Sequence, residues 1–384
     1  MNISIPYNND ILLVDKINEL GLKSADTNII FYFAPSTDIS GTGRRLPNRQ
    51  LYMKNGSFDS NLFEKDIYEF LLRCRKYHFE TCVLFNDILQ GMPYNNDDLK
   101  HKIPKIQRYL EYIDEENLVD YVCIANPYML ELINWDRIRN LKVKASVNFQ
   151  IKNERTIKIL NNLVKNYFPN GKLAEVEIQK DLLRDPGKIK EIRDALDLSV
   201  NLSIIINEGC LCGCPYQIVH QLHSATISMK DANEYNEKFQ FSNARCKNIL
   251  TSEPWLFLDA NWILPRHIER YRGIVDGFKL TDRTDDTDVI VRKAKAYFLN
   301  DYDQENVNPI ITLMQREKWH FPEKLLPDDF DRRIFSGKSV PDSYYMDIWE
   351  NIKKYNKENY PEEETAIRSI KLFKDELYKY EGVY

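Results

Sequence analysis

The chain has 384 residues, 43% hydrophobic and 29% charged, with a net charge of −5, long enough for one large core with an appendage or for two ordinary domains. Its 23 tyrosines and 18 phenylalanines exclude a disordered or low-complexity protein. The slight acidity leaves no basic footprint, so nucleic-acid binding would need a local patch that the totals do not advertise, and a small-molecule or protein substrate is the default.

No stretch of eighteen-odd apolar residues runs together as a membrane helix requires, and the amino terminus lacks a basic segment followed by an apolar one. The expectation is a cytosolic protein. In a reducing compartment seven cysteines, three of them bunched, point to metal or redox chemistry rather than to a disulfide framework.

In chain order, Ile11, Leu12, Val14, Ile17 and Leu20 mark an amphipathic helix over 10–20, and the apolar run 28–34 reads as a buried strand. The alternation then repeats. Phe63, Ile67, Phe70, Leu71 and Cys74 mark a helix before a strand over 81–85; Ile106, Tyr109, Leu110 and Ile113, with Pro104 near the first turn, mark a helix before a strand over 119–125. A strand over 143–147 precedes a helix through Ile157, Leu160, Leu163 and Val164, and a strand over 174–178 precedes one capped by Asp185 and opened by Pro186. Strands over 200–206, 255–258 and 278–281 complete the set, and Ile3 to Ile5 form a short ninth strand laid across the floor. Eight strands alternating with helices predict an α/β fold, a closed (β/α)8 TIM-like barrel over 1–291, with a doubly wound open sheet as the alternative.

From about residue 292 the pattern changes to acidic loops between helices over 344–355 and 365–380. Residues 292–384 therefore read as a C-terminal helical extension on the outside of the barrel, with no chemistry of its own.

If the barrel closes, the polar residues at the strand ends converge on one face: Asn86, Asp87, Asn126, Asn148, Gln150, Gln179, Asn207, Glu208, Asp259, Lys279, Asp282 and Arg283. For any one of them the plain alternative is a wet loop. The densest chemistry lies in the turn after 200–206, where Cys210, Cys212 and Cys214 fall within five positions before Pro215, and Cys246 arrives shortly before 255–258. Three or four thiolates meeting at neighbouring strand ends suit an iron–sulfur cluster with soft ligands; zinc is the rival metal, although its structural sites favour paired knuckles. Cys74, Cys82 and Cys123, on an apolar helix face and inside two strands, read as buried core thiols. His220 lies about 9 Å along a helix from Cys214, too far to share its metal easily.

Lys279 and Arg283 lie four apart at the last strand, so strand alternation puts both on one side. A buried lysine needs a carboxylate, with Glu177 or Glu208 as candidates, or an anionic ligand. In the alternative Lys279 points outward and its ammonium reaches water. Lys279, Arg283 and Glu208 are the candidate catalytic residues.

The residues Asn207, Glu208, Gly209 and Cys210, then Cys214, Pro215, His220 and Cys246, then Trp262 and Pro265, then Phe278, Lys279 and Arg283 resemble the core of the peptidase U32, or collagenase-like, family. The resemblance spans roughly 28–288, and its specific parts are the cysteine region and the Lys279 strand. It implies a TIM-type barrel and, as in several members, a 4Fe-4S cluster used in oxygen-independent hydroxylation. The ligands implied are Cys210, Cys214 and Cys246, with Cys212 or an open iron site in the fourth place. The crowded cysteines and the cysteine-free tail depart from better-known members.

Three functions follow as expectations. The first is an iron–sulfur oxidoreductase or hydroxylase that takes electrons from a donor and acts on a small or tethered substrate. The second is a peptidase, for which the chain shows no His-Glu-x-x-His, Gly-x-Ser-x-Gly or Asp-Thr-Gly motif. The third is a non-catalytic iron–sulfur or zinc subunit of a homo- or hetero-oligomer.

Overall fold

The computed structural model describes residues 1–35, 53–54, 57–58, 60–86, 96–168, 172–226, 246, 249–250, 252–311 and 319–361. Asp87 and the helix expected over 365–380 lie outside them.

Parallel strands close into a barrel in chain order: β1 (Asn2–Pro6), β2 (Asn28–Phe33), β3 (Glu80–Phe85), β4 (Tyr121–Ile124), β5 (Lys142–Ala145), β6 (Leu173–Glu177), β7 (Asn201–Ile205) and β8 (Gly277–Lys279). A helix follows each: α1 (Leu12–Glu19), α2 (Ser60–Lys76), α3 (Asn96–Glu115), α4 (Met129–Leu132), α5 (Glu154–Tyr167), α6 (Pro186–Ala195), α7 (Gln217–Thr226) and α8 (Thr287–Leu299). The expected (β/α)8 barrel is therefore the fold. Two helix starts follow the capping chemistry of the sequence: Asp185 accepts from Lys188 N ahead of Pro186, and Asn153 accepts from Thr156 N ahead of α5.

The strand alternation sorts the residues. Ile3, Ile29, Phe31, Val83, Val122, Val143, Val176, Leu202 and Phe278 face the helices in one continuous apolar core; each such side chain contributes roughly 1.5–3 kcal/mol on burial. The bore is divided. Ile30, Tyr32, Cys82, Leu84, Tyr121 and Cys123 make a separate apolar cluster on β2, β3 and β4, whereas β5, β6 and β8 turn Lys144, Glu175, Glu177 and Lys279 inward.

Three expectations are corrected. The N-terminal strand does not cross the floor: β1 pairs in parallel with both β8 (Asn2↔Gly277) and β2 (Asn2↔Asn28) and is a full stave of the barrel. The run 255–258 is not a strand but part of a 3-10 helix, Pro254–Asp259. Its proline has no N–H to give a ladder, and Phe257 and Leu258 are buried by packing rather than by pairing. Pro104 lies inside α3, which already starts at Asn96.

Beyond β8, α8 runs through the 291/292 position where the sequence changes character. The chain then continues through α9 (Phe330–Ile334) to α10 (Asp342–Asn359). Tyr345, Ile348, Trp349 and Ile352 bury one face of α10, and the helix packs on the 3-10 helix. Among the described residues no helix is long and apolar enough to cross a membrane.

Candidate functional site at the mouth of the barrel

β6 and β8 end in charged residues because their intervening positions are committed to the helix layer: Val176 and Phe278 face outward, so Glu177 and Lys279 face inward. Lys279 Nζ lies 2.5 Å from Glu177 Oε1, with side-chain exposures of 9% and 4%, so the pair is nearly sealed. The lysine also stands over the Tyr32 ring, 4.7 Å from its centre. Burial alone would lower the Lys279 pKa, but the charge and hydrogen bond of Glu177, with Cys123 and Tyr32 beside it, together outweigh it and the net shift is upward, keeping the ammonium charged. Glu177 Oε2 accepts from Val147 N at 3.4 Å. Of the two carboxylates expected for Lys279, Glu177 is the partner.

Glu208 belongs to a different group. Its Oε1 lies 3.2 Å from Lys180 Nζ and accepts from the Cys210 thiol at 3.2 Å. Burial, reinforced by the Glu208 charge and only partly offset by Lys180, pushes the Cys210 thiol up to about 12. Lys180 drew no attention in the sequence, where it is one lysine among many just past a strand.

The cysteine turn is anchored from behind. Asn261 N donates to Cys210 O at 2.9 Å, and Asn261 Nδ2 donates to Asp181 Oδ1 at 3.0 Å. The half-buried Arg184 guanidinium donates to Leu258 O at 2.6 Å and to Trp262 O, holding the strap that carries Asn261. Gly213 supplies the left-handed conformation (φ +64) between Cys212 and Cys214, which a side chain would strain. Cys212 is exposed and Cys214 and Cys246 are intermediate. Partial burial, with Asp181 and Asp259 nearby, raises the Cys212 thiol to about 11.

The donor set of Cys210, Cys212, Cys214 and Cys246 suits a soft metal or an iron–sulfur cluster by chemistry. Among the described residues no three His, Cys, Asp or Glu side chains are grouped to hold a metal ion. The expected meeting of strand ends rested on a strand at 255–258, and a 3-10 helix stands there instead.

The other expected residues divide by role. Asn207 is a brace, donating to Thr281 O at 2.7 Å and accepting from Thr281 N at 2.8 Å across the ends of β7 and β8. Asn126 accepts from Tyr128 N in a local turn, and Asp259 accepts from Tyr345 OH at 2.9 Å, joining α10 to the 3-10 helix. Arg283 is buried, but β8 ends at Lys279, so the alternation that would place both on one side does not reach it. Cys74, Cys82 and Cys123 are buried as expected, and burial raises Cys82 to about 12. His220 lies half-buried on α7.

One feature of the bore escaped the sequence reading although its signal was there. Lys142, Val143, Lys144 in β5 and Glu175, Val176, Glu177 in β6 place like charges at period two on neighbouring strands. With each valine outward, the lysines and glutamates face each other inside. Lys144 Nζ lies 3.0 Å from Glu175 Oε2, and Ser203 Oγ donates to Glu175 Oε1 at 2.9 Å.

Fold and site together define a (β/α)8 barrel with a buried lysine–glutamate pair at its C-terminal mouth and a cysteine-bearing turn beside it. The chain is similar to one curated protein named as a protease and to one solved U32 peptidase. No family model matches the sequence. A curated protein of Methanocaldococcus jannaschii named "Uncharacterized protease MJ1657" is 27% identical over 230 residues, covering 58% of this chain and 62% of that protein's length. A solved structure titled "The Structure of the U32 Peptidase Mk0906" aligns with a TM-score of 0.47 and 12% identity, over 73% of this chain and 92% of that one.

Proposed function

We propose that this protein is an enzyme working at the C-terminal mouth of its barrel, with Lys279 and Glu177 as the polar centre of the substrate site. The observation that carries the reading is the placement of that pair. A buried ion pair adds little net stability over apolar packing, so one kept at strand ends, where barrel enzymes hold their chemistry, is better accounted for by reaction than by folding. An ammonium there can hold an anionic group or stabilise charge developing on a substrate oxygen, and the carboxylate keeps it oriented.

The finer proposal is an iron–sulfur oxidoreductase or hydroxylase, with Cys210, Cys214, Cys246 and Cys212 as ligands, a separate electron donor and a cytosolic setting. The soft donor set of these four thiols supports it. Arg283 and Glu208 remain proposed contributors, Glu208 through its contact with Cys210. Anaerobic reconstitution followed by iron, sulfide and zinc analysis tests this reading. Stoichiometric iron and sulfide, lost in Cys210→Ser and kept in Cys82→Ser, supports it; a colourless protein with zinc alone or no metal rejects it.

Peptidase activity is the second reading, favoured by the printed name of the curated relative. Burial and the Glu208 charge raise the Cys210 thiol, which lowers the fraction of thiolate available for attack. Hydrolysis of a peptide library by the metal-free protein, abolished by Lys279→Met, would establish that reading.

A further inference from the structure

The geometry points to a neutral subsite formed by Gln150, Gln179 and Gln217, which takes a ligand edge with a carbonyl oxygen beside an N–H, as in a lactam or a carboxamide. Gln150 closes the turn after β5, Gln179 follows β6 and Gln217 opens α7. Gln179 N donates to Ile151 O at 2.9 Å, which ties the turn after β6 to the turn that carries Gln150. The side chains join directly, Gln179 Nε2 donating to Gln217 Oε1 at 2.8 Å.

Asp181 fixes which way the amides face. Gln179 Nε2 also donates to Asp181 Oδ2 at 3.4 Å, while Asp181 Oδ1 is held by Asn261. A carboxylate accepts and does not donate, so Gln179 turns its nitrogen toward Asp181 and its oxygen away. Gln217 must then offer its oxygen to Gln179, which leaves its own nitrogen over. The remainder is one acceptor, Gln179 Oε1, and two donors, Gln217 Nε2 and Gln150 Nε2, all buried and without a hydrogen-bond partner among the described residues.

Gln179 is only 1% exposed, so its oxygen is a desolvated acceptor of the kind that folded proteins rarely leave unmet. Three such atoms on adjoining turns at the mouth of a barrel form a pattern rather than an accident of packing. Its complement is specific. A carbonyl oxygen has two lone pairs for the two donors, and an adjacent N–H meets the one acceptor. A carboxylate or a ketone offers no donor to Gln179. The subsite needs no metal and stands apart from the cluster reading.

The test uses the full chain, metal-free, titrated by saturation-transfer NMR with 2-pyrrolidinone, cyclopentanone and N-methyl-2-pyrrolidinone. The lactam is expected to bind at least about tenfold more tightly than the two probes that lack the N–H. Gln179→Met, close in volume, should abolish that preference with the unfolding midpoint little changed, and Gln217→Met serves if Gln179→Met does not fold. Asp181→Asn should weaken the preference by freeing the amide orientation. Absence of lactam binding, equal binding of the three probes, or a preference surviving in the glutamine variant that folds overturns the proposal. Repeating the titration after iron loading separates it from the metal question, because the preference is expected with or without metal.

Discussion

The bore of this barrel holds the same residue pair twice, and the two copies behave differently. Lys144 and Glu175 are sealed on β5 and β6, with side-chain exposures of 3% and 2%, and Glu175 has Ser203 and Asn2 as further partners. Lys279 and Glu177 sit at the strand ends, and among the described residues Glu177 has a long contact from Val147 N besides its lysine. The deeper pair is a closed network whose members satisfy one another. The outer pair keeps bonding capacity on the side where a substrate can arrive. Identical chemistry thus reads as packing where the carboxylate has several partners, and as function where it has fewer.

Substitutions that treat the pairs alike sharpen the contrast. The largest effect is expected for Lys279→Met on turnover: a loss of about 100-fold or more in kcat once a substrate is in hand, since the ammonium acts on the reacting group. Lys144→Met strands Glu175 in the sealed part of the bore and should lower stability by about 3–5 kcal/mol in urea unfolding. The same change at Lys279 should cost less than half of that, because Glu177 at the mouth can recruit water. Equal losses at both positions would mean that the outer pair is structural too.

A smaller effect is expected from pH. His267 is buried, accepts from Leu264 N through Nδ1, and faces Asp331 with Nε2 at 2.9 Å. Burial lowers its pKa below the ordinary histidine value despite Asp331, and the nearby charges of Arg266 and Arg184 lower it further. A base with a depressed folded pKa binds fewer protons folded than unfolded, so its contribution is present above about pH 6.5 and is lost as pH falls below it. His267→Gln should therefore flatten the acid side of the thermal stability profile by a degree or two; an unchanged slope would place the acid sensitivity elsewhere.

Much of the barrel was legible because its strands are apolar runs of the right length between amphipathic helices. The errors fell where that signal is degenerate. A four-residue apolar run at 255–258 has the same composition whether it pairs in a sheet or packs under α10, and Pro254 was the residue that distinguished the two. Ile3 to Ile5 looked too short and too early to be a stave, yet pairing on both sides needs only the alternation it has. At the site, Lys279 facing inward with Glu177 could be read from strand parity. Lys180 and the orientation set by Asp181 could not, since both depend on which turns lie side by side in space.

The position of β1 bears on how the molecule is made. Until Gly277 to Lys279 leave the ribosome, β1 has β2 on one side and nothing on the other, so a growing barrel carries two open strand edges through most of its synthesis. Closure joins the ends of the barrel sequence, the most distant contact that a ring of staves allows, and such contacts slow folding. The unfinished sheet is therefore the stage at which this chain is most exposed to mispairing with its neighbours, and a bulky fusion ahead of Asn2 would burden the very edge that must stay free.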